Sequence, residues 1–327
     1  MVYKNLINLS NILNEMSDHL IINGSMVYFS GLLYGKMGIS LFFFQYSRYT
    51  HNALYNEYAC HLIDLVKAQI HEDYPLDYKH GLAGVGVGFN YLKEYGYFDV
   101  GDEYISDIDL KIIKAISYER RLSVLTGFGH YFVSKCNNHI VDKDFLIKLT
   151  ELIINHSTSV QMNVPLDTLS LLCDLYNLDI EKEKIEFFLS MSMATLIKNV
   201  QKESISEDLL VICKLSHVPS CSFCKKIAID TLNSIFSKQQ SRFSGIDDFQ
   251  WLLRCEEIIK KNEYYSILPK IKNKILKNMS SFNLTQLDEF FSDNQNFAFQ
   301  GGFTGLGLAL LAMLKPENNQ WLNLLKL

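Results

Sequence analysis

The sequence predicts an all-α protein whose helices pair and close into a ring, an α/α toroid of about seven helical hairpins. Three observations lead there. Apolar residues recur with helical spacing along most of the chain, and no strand-period alternation of useful length occurs. A glycine-rich helix start appears in three copies, at 31–44 (GLLYGKMGISLFFF), 80–92 (HGLAGVGVGFNYL) and 301–314 (GGFTGLGLALLAML). The first and last copies are also the most apolar. An open superhelix needs polar end repeats, whereas in a ring the two ends cover each other.

Taken in order, 1–20 repeats Leu6, Leu9, Leu13, Met16 and Leu20 on one face of an amphipathic helix. Asn23-Gly24-Ser25 breaks the pattern, and a glycine-rich helix follows over 31–47. Residues 51–72 form an ordinary amphipathic helix stopped at Asp73-Tyr74-Pro75. The second glycine helix occupies 81–95 and ends at Gly96, and 102–118 is amphipathic again. Residues 126–135 are a weaker glycine copy that keeps Gly127 and Gly129. Further helices are expected over 144–155, 165–176, 181–200, 207–215, 219–237, 247–259 and 264–279, and a loop at 294–299 leads into the last copy. The apolar helices begin near 31, 81, 127, 167, 208, 248 and 301, a period of roughly 40–50 residues. With five prolines and no Pro/Gly/Ser-rich linker, 1–327 reads as one domain.

Composition narrows the function. The chain has 327 residues and a net charge of −5, and no basic stripe that would displace phosphate counterions, so nucleic acid is not an expected partner. Its seven cysteines are irregularly spaced and odd in number, which is no disulfide framework. No apolar run approaches the roughly 18 residues of a membrane helix, and 1–20 lacks the apolar core of a signal peptide. A reducing, cytoplasmic protein without membrane insertion is expected.

In a ring of this kind the inner helices run parallel, and their first turns gather at one end. Helix starts carry unpaired N–H groups and partial positive charge. The residues beside each glycine turn then face a central cavity: Tyr34, Lys36, Asp77, Lys79, His80, Thr126 and Gln300. Asp77-Tyr78-Lys79-His80 is the most polar of these entrances and the first choice for a functional mouth. Glycines that serve only close helix packing, with these side chains in solvent, are the simpler alternative.

The segments GLLYGKMGI, HGLAGVGVG and GGFTGLGLALL resemble the lanthionine synthetase C-like (LanC-like) family. The period fits over the whole length, with specific motifs at three places and weak ones at four. The resemblance implies an α/α toroid of seven helical pairs, with G-x-x-G-(I/L)-G motifs opening the inner helices. It implies peptide maturation, in which a cysteine thiol of a precursor peptide adds to a dehydrated Ser or Thr. That reaction needs a thiolate at neutral pH, which family members obtain from zinc. Their zinc ligands are a Cys in a W-C-Y-G-like motif and a Cys-His pair directly before the last glycine motif. Here Gln300 and Gly301 stand where the pair belongs. Around 245 the chain reads SGIDDFQWLLRC, with Trp251 and Cys255 and no Cys-Tyr-Gly. Glutamine and glycine do not replace a thiolate and an imidazole on zinc.

The resemblance therefore leads to a zinc-free, catalytically degenerate member without a cofactor, binding a precursor peptide or a partner maturation enzyme. The alternative is an active lanthionine cyclase with relocated ligands, for which His217, Cys221 and Cys224 (with Cys213 one turn earlier) are the local cluster. Cys221 and Cys224 also fit a helix beginning at Pro219, as small buried hydrophobes. Two further arrangements stay open. Asp73, Asp77, Asp247 and Asp248 at helix entrances could form a hydrolase carboxylate pair or stabilise helix dipoles. His130 and Tyr131 could act as an acid–base couple or pack in the core. No G-x-S-x-G elbow or phosphate loop is present.

Overall fold

In a computed structural model of the chain, the described residues are 2–136, 141–159, 164–200, 207–237, 297–315 and 320–325. They contain twelve α-helices and no strand. These are α1 (Val2–Gly24), α2 (Lys36–Thr50), α3 (Ala53–Gln69), α4 (Leu82–Glu94), α5 (Asp102–Ile116), α6 (Leu122–Lys135), α7 (Lys143–Ser159), α8 (Leu166–Asn177), α9 (Lys182–Val200), α10 (Glu207–Leu215), α11 (Cys224–Ser237) and α12 (Phe303–Leu314). Short 3-10 turns lie at Pro219–Cys221 and Gln320–Leu324. None of the described helices is long and apolar enough to cross a membrane. The helices expected over 247–259 and 264–279 lie outside the described residues.

The chain divides into two compact units. The first joins the residues up to Lys114 with the described C-terminal residues up to Leu325; the second comprises the described residues from Ala115 to 237. In the first unit α2 is central, packed against α1, α3, α4 and α12, and α12 also lies against α1. The apolar content explains the order. Every residue of α2 from Lys36 to Tyr46 and of α4 from Leu82 to Leu92 is buried, whereas α3 buries only Ala59, Leu62, Ile63 and Val66. A helix apolar all round has to be surrounded; a helix with one apolar stripe covers it. Phe42, Phe43 and Phe44 point in three directions from α2 and are each at most 1% exposed. Burial of each such ring contributes about 1.5–3 kcal/mol.

The second unit repeats the scheme. The apolar helices α6, α8 and α10 pack in succession, and α7, α9 and α11 cover them. Side-chain bonds tie the inner row together: the hydroxyls of Thr126 and Thr168 lie 2.8 Å apart, and the Lys214 ammonium donates to Ser170 Oγ (2.6 Å) and to Asp174. The buried carboxylate of Glu119 accepts from the backbone amides of Arg120 and Arg121 and from the Arg121 guanidinium. The Arg121 bonds hold it down to about 2. This anchor lets α6 begin at Leu122, earlier than the expected 126. The helix expected over 219–237 is interrupted instead: i→i+3 bonds from Ser222 to Pro219 and from Lys225 to Ser222 tighten its first turn, and regular helix starts at Cys224.

The glycine helix expected from 31 begins at Lys36, because 31–35 form a turn that caps it. Gly35, Gly81 and Gly302 are the N-caps of α2, α4 and α12, all with extended backbone that any residue can adopt. What demands glycine is space, both at the caps, where a Cβ on Gly81 would lie 2.3 Å from Pro75 O and one on Gly35 2.5 Å from Gly31 N, and three residues later. A Cβ on Gly84 would lie 2.0 Å from the Tyr78 carbonyl oxygen, and one on Gly38 2.4 Å from that of Leu32. In both, the carbonyl six residues earlier folds over the helix, which explains the recurring G-x-x-G. Gly84→Ala should therefore destabilise the protein by at least about 1–3 kcal/mol, read as a lower urea midpoint. An unchanged midpoint would contradict this packing.

Candidate functional site

Three turns of the first unit, at 31–35, 77–81 and 298–302, meet edge to edge. Leu33 N donates to Lys79 O (3.0 Å), and Phe299 N and Gln300 N donate to Leu33 O (2.8 and 3.4 Å). Leu33, Lys79 and Gln300 each lie two residues before an N-cap glycine, so the contact is the same one repeated. The backbones approach closely enough that a Cβ on Gly31 would lie 2.3 Å from the His80 carbonyl carbon.

The helix entrances are not open, contrary to the expectation of unpaired N–H groups. Lys36 N and Met37 N donate to Phe29 O and Ser30 O; Leu82 N and Ala83 N donate to Pro75 O and Leu76 O. Each acceptor lies seven residues before its donor, on the chain entering the turn. At α12 the Thr304 hydroxyl donates to Phe297 O and Gly305 N to Ala298 O. With these amides occupied, the entrances offer little to an anion.

His80 is held from several sides. Asp77 Oδ1 accepts from the backbone amides of Lys79 (2.8 Å) and His80 (2.9 Å) and lies 3.5 Å from His80 Nδ1. The Tyr74 hydroxyl donates to His80 O (3.1 Å) and accepts from Ser30 N (2.9 Å). The imidazole stacks on Tyr34 (centroids 5.1 Å apart, planes 20° apart) and lies 4.8 Å from the Phe29 ring, which Tyr28 meets edge-on. These rings wall a cavity of about 700 Å³ together with Met26, Val27, Asn23, Phe297, Ala298 and Gln300. Among the described residues no Lys, Arg, Asp or Glu lines it. The Gln300 amide oxygen is sealed from solvent and accepts no hydrogen bond among the described residues. An unsatisfied buried acceptor costs about 1–3 kcal/mol.

Of the expected mouth residues, Tyr34, His80 and Gln300 come together on this cavity. Asp77 stands behind His80 as its anchor, and Lys79 is exposed and contributes its carbonyl to the turn contact. Lys36 does not face the cavity. It is 3% exposed, and its ammonium donates to Val27 O and Gln69 Oε1, which also accepts from the Ser30 hydroxyl. The reason is the turn itself: closing 29–35 over the start of α2 carries the side chain inward. Thr126, His130 and Tyr131 lie in α6 of the second unit, each at most 1% exposed and part of its core. Asp73 is exposed; Asp247 and Asp248 lie outside the described residues. The segment Met26–Phe29, four of the ten described lining residues, is not among the expected mouth residues, although an apolar run in a loop is the available signal.

The alternative metal cluster does not converge. Cys221 and Cys224 are fully buried while His217 is exposed. Burial raises the Cys221 thiol and pushes Cys224 up to about 12, as for small buried hydrophobes. Among the described residues no group of three His, Cys, Asp or Glu side chains could hold a metal ion. No protein-family model matches the chain, and no curated protein matches it.

Burial lowers the Lys36 pKa from the ordinary 10.5, so the folded state binds this proton less tightly than the unfolded chain. The penalty is complete below the lowered value and is relieved as pH rises towards 10.5. Relative to Lys36→Met, the wild type should gain stability between neutral pH and that limit, measured by urea unfolding at both ends. A difference that stays constant or changes the other way would contradict a buried, strained ammonium.

Proposed function

We propose that the chain is a LanC-like α/α toroid without the cyclase zinc pair, and that it binds a precursor peptide for other enzymes of the same maturation pathway. The observation that carries this reading is the cavity at the glycine turns. Gln300, at the position before the last glycine motif where the resemblance puts a Cys-His pair, lines it together with Tyr34, His80, Phe29 and Asn23. Gln300 and Gly301 do not fit zinc as a Cys-His pair does, so no cyclisation step follows from them. Packing of α12 against α1 and α2 supports closure of the ring, since it sets the last glycine copy beside the first. The mouth supports a peptide partner: Met26 and Tyr28 are 83% and 82% exposed, and clustered exposed aromatic and Met side chains are a mark of interaction surfaces.

The test uses labelled peptides encoded beside this chain, in fluorescence anisotropy, with metal analysis of the purified protein. Saturable binding, weakened about fivefold or more by His80→Ala with unchanged helicity, and sub-stoichiometric zinc are expected. Stoichiometric zinc together with thioether formation on a dehydrated peptide would replace this reading by the cyclase. Absence of binding to any such peptide would remove it.

A further inference from the structure

Lys36 is a poor choice of residue for its place on every local ground. It is the first residue of α2, beside the Gly35 N-cap, where a cation opposes the helix dipole. It is 3% exposed, so its ammonium has lost nearly all its water. It stands at the head of a run buried through to Tyr46, where a Met of similar length would pack without that cost. Local rules broken together at one residue, behind the wall of a cavity, mark a group kept for something other than stability.

We infer that Lys36 is a positioning residue for the cavity: its ammonium, shared with Gln69 of α3, clamps the strap Met26–Phe29 where its side chains form the wall. The inference rests on the peptide-binding reading above.

The strap needs a clamp because little else fixes its middle. It is neither helix nor strand, Met26, Tyr28 and Phe29 are exposed, and Val27 is half-buried. The amides of Met26 and Val27 reach back to Asn23 O and Gly24 O at the end of α1 (3.0 and 3.4 Å). Beyond the strap, Ser30 N donates to the Tyr74 hydroxyl (2.9 Å). Between these two ends both carbonyl ties come from Lys36, its ammonium to Val27 O and its backbone amide to Phe29 O (3.0 Å). Any residue at 36 supplies the second tie; the first needs the ammonium.

The chemistry of the group suits the task. An ammonium carries three donors and no acceptor, so one Nζ serves Val27 O and Gln69 Oε1 (3.1 Å) together. Gln69 Oε1 also accepts from the Ser30 hydroxyl. Strap, following residue and α3 thus meet at one point. Without the ammonium Val27 O loses its donor and recovers a hydrogen bond by turning to water, which the exposed side chains of the strap do not resist. Four of the ten described lining residues then leave their places.

The experiment compares the wild type with Lys36→Met, Gln69→Leu and a control for general destabilisation, Ile63→Val in the buried stripe of α3. Amide hydrogen exchange at Met26, Val27 and Ser30 reads the strap, and fluorescence anisotropy with a fluorescein-labelled peptide encoded beside this chain reads the cavity. In Lys36→Met the strap amides should exchange about tenfold or more faster, while the interior of α4 keeps its rate. Peptide affinity should fall about fivefold or more with unchanged helicity. Gln69→Leu should act in the same direction, and it decides the matter if Lys36→Met does not fold. Ile63→Val should lower the urea midpoint and leave strap exchange and affinity as in the wild type, which separates positioning from stability. Strap amides as slow in the two clamp variants as in the wild type would overturn the clamp. A loosened strap with unchanged affinity would overturn its positioning role. Failure of every encoded peptide to bind the wild type would remove the peptide-binding reading, and the exchange rates alone would then decide the clamp.

Discussion

Main-chain contact between the three glycine turns is the constraint from which the first unit follows. Leu33 donates to Lys79 and accepts from Phe299 and Gln300, so residues separated by nearly the whole chain are held at hydrogen-bond distance. Such closure is possible only if nothing projects between the backbones. The bare Cα of Gly31 against His80 and the bare helix starts at Gly38 and Gly84 provide that room. Each turn then feeds its carbonyls back onto its own helix, and the motif becomes a self-capping helix entrance in place of an open one. Side-chain caps are absent at Gly35, Gly81 and Gly302 for the same reason: the backbone has taken their role.

The site inherits its character from this geometry. With these helix amides occupied, the entrances offer little to an anion; of the two turn lysines, Lys36 is drawn inward to Val27 and Gln69 and Lys79 is exposed. What faces the cavity is what the turns leave over: Tyr34, His80 and Gln300 from the turns, and Met26 to Phe29 from the chain entering the first of them. Asn23, Phe297 and Ala298 complete the described wall.

Much of this was legible in the sequence. The two kinds of helix follow from periodicity, since α2, α4 and α12 are apolar all round while α3 carries a single stripe. A position just before a glycine of the turn (Gly35 or Gly301) suffices to select Tyr34 and Gln300, and the polar run at 77–80 selects His80. Lys36 was misread because its direction depends on where Val27 and Gln69 sit, which no local pattern states. Met26–Phe29 lacked any period, so its place beside His80 and Phe297 required tertiary contacts across about fifty and more than two hundred residues. In the second unit His130 and Tyr131 looked chemically suggestive, but a histidine inside an apolar helix is placed by its neighbours, and here those neighbours form a core.

Amide hydrogen exchange at Leu33 and Phe299 tests the interlock of the turns most directly. Both are loop residues, yet each donates to a main-chain carbonyl of another turn or accepts a place in that ladder. Their amides should exchange as slowly as those in the interior of α2, with openings that require the unit to come apart. Exchange at the rate of an exposed loop, while α2 stays protected, would show that the turns are not joined and would contradict the account.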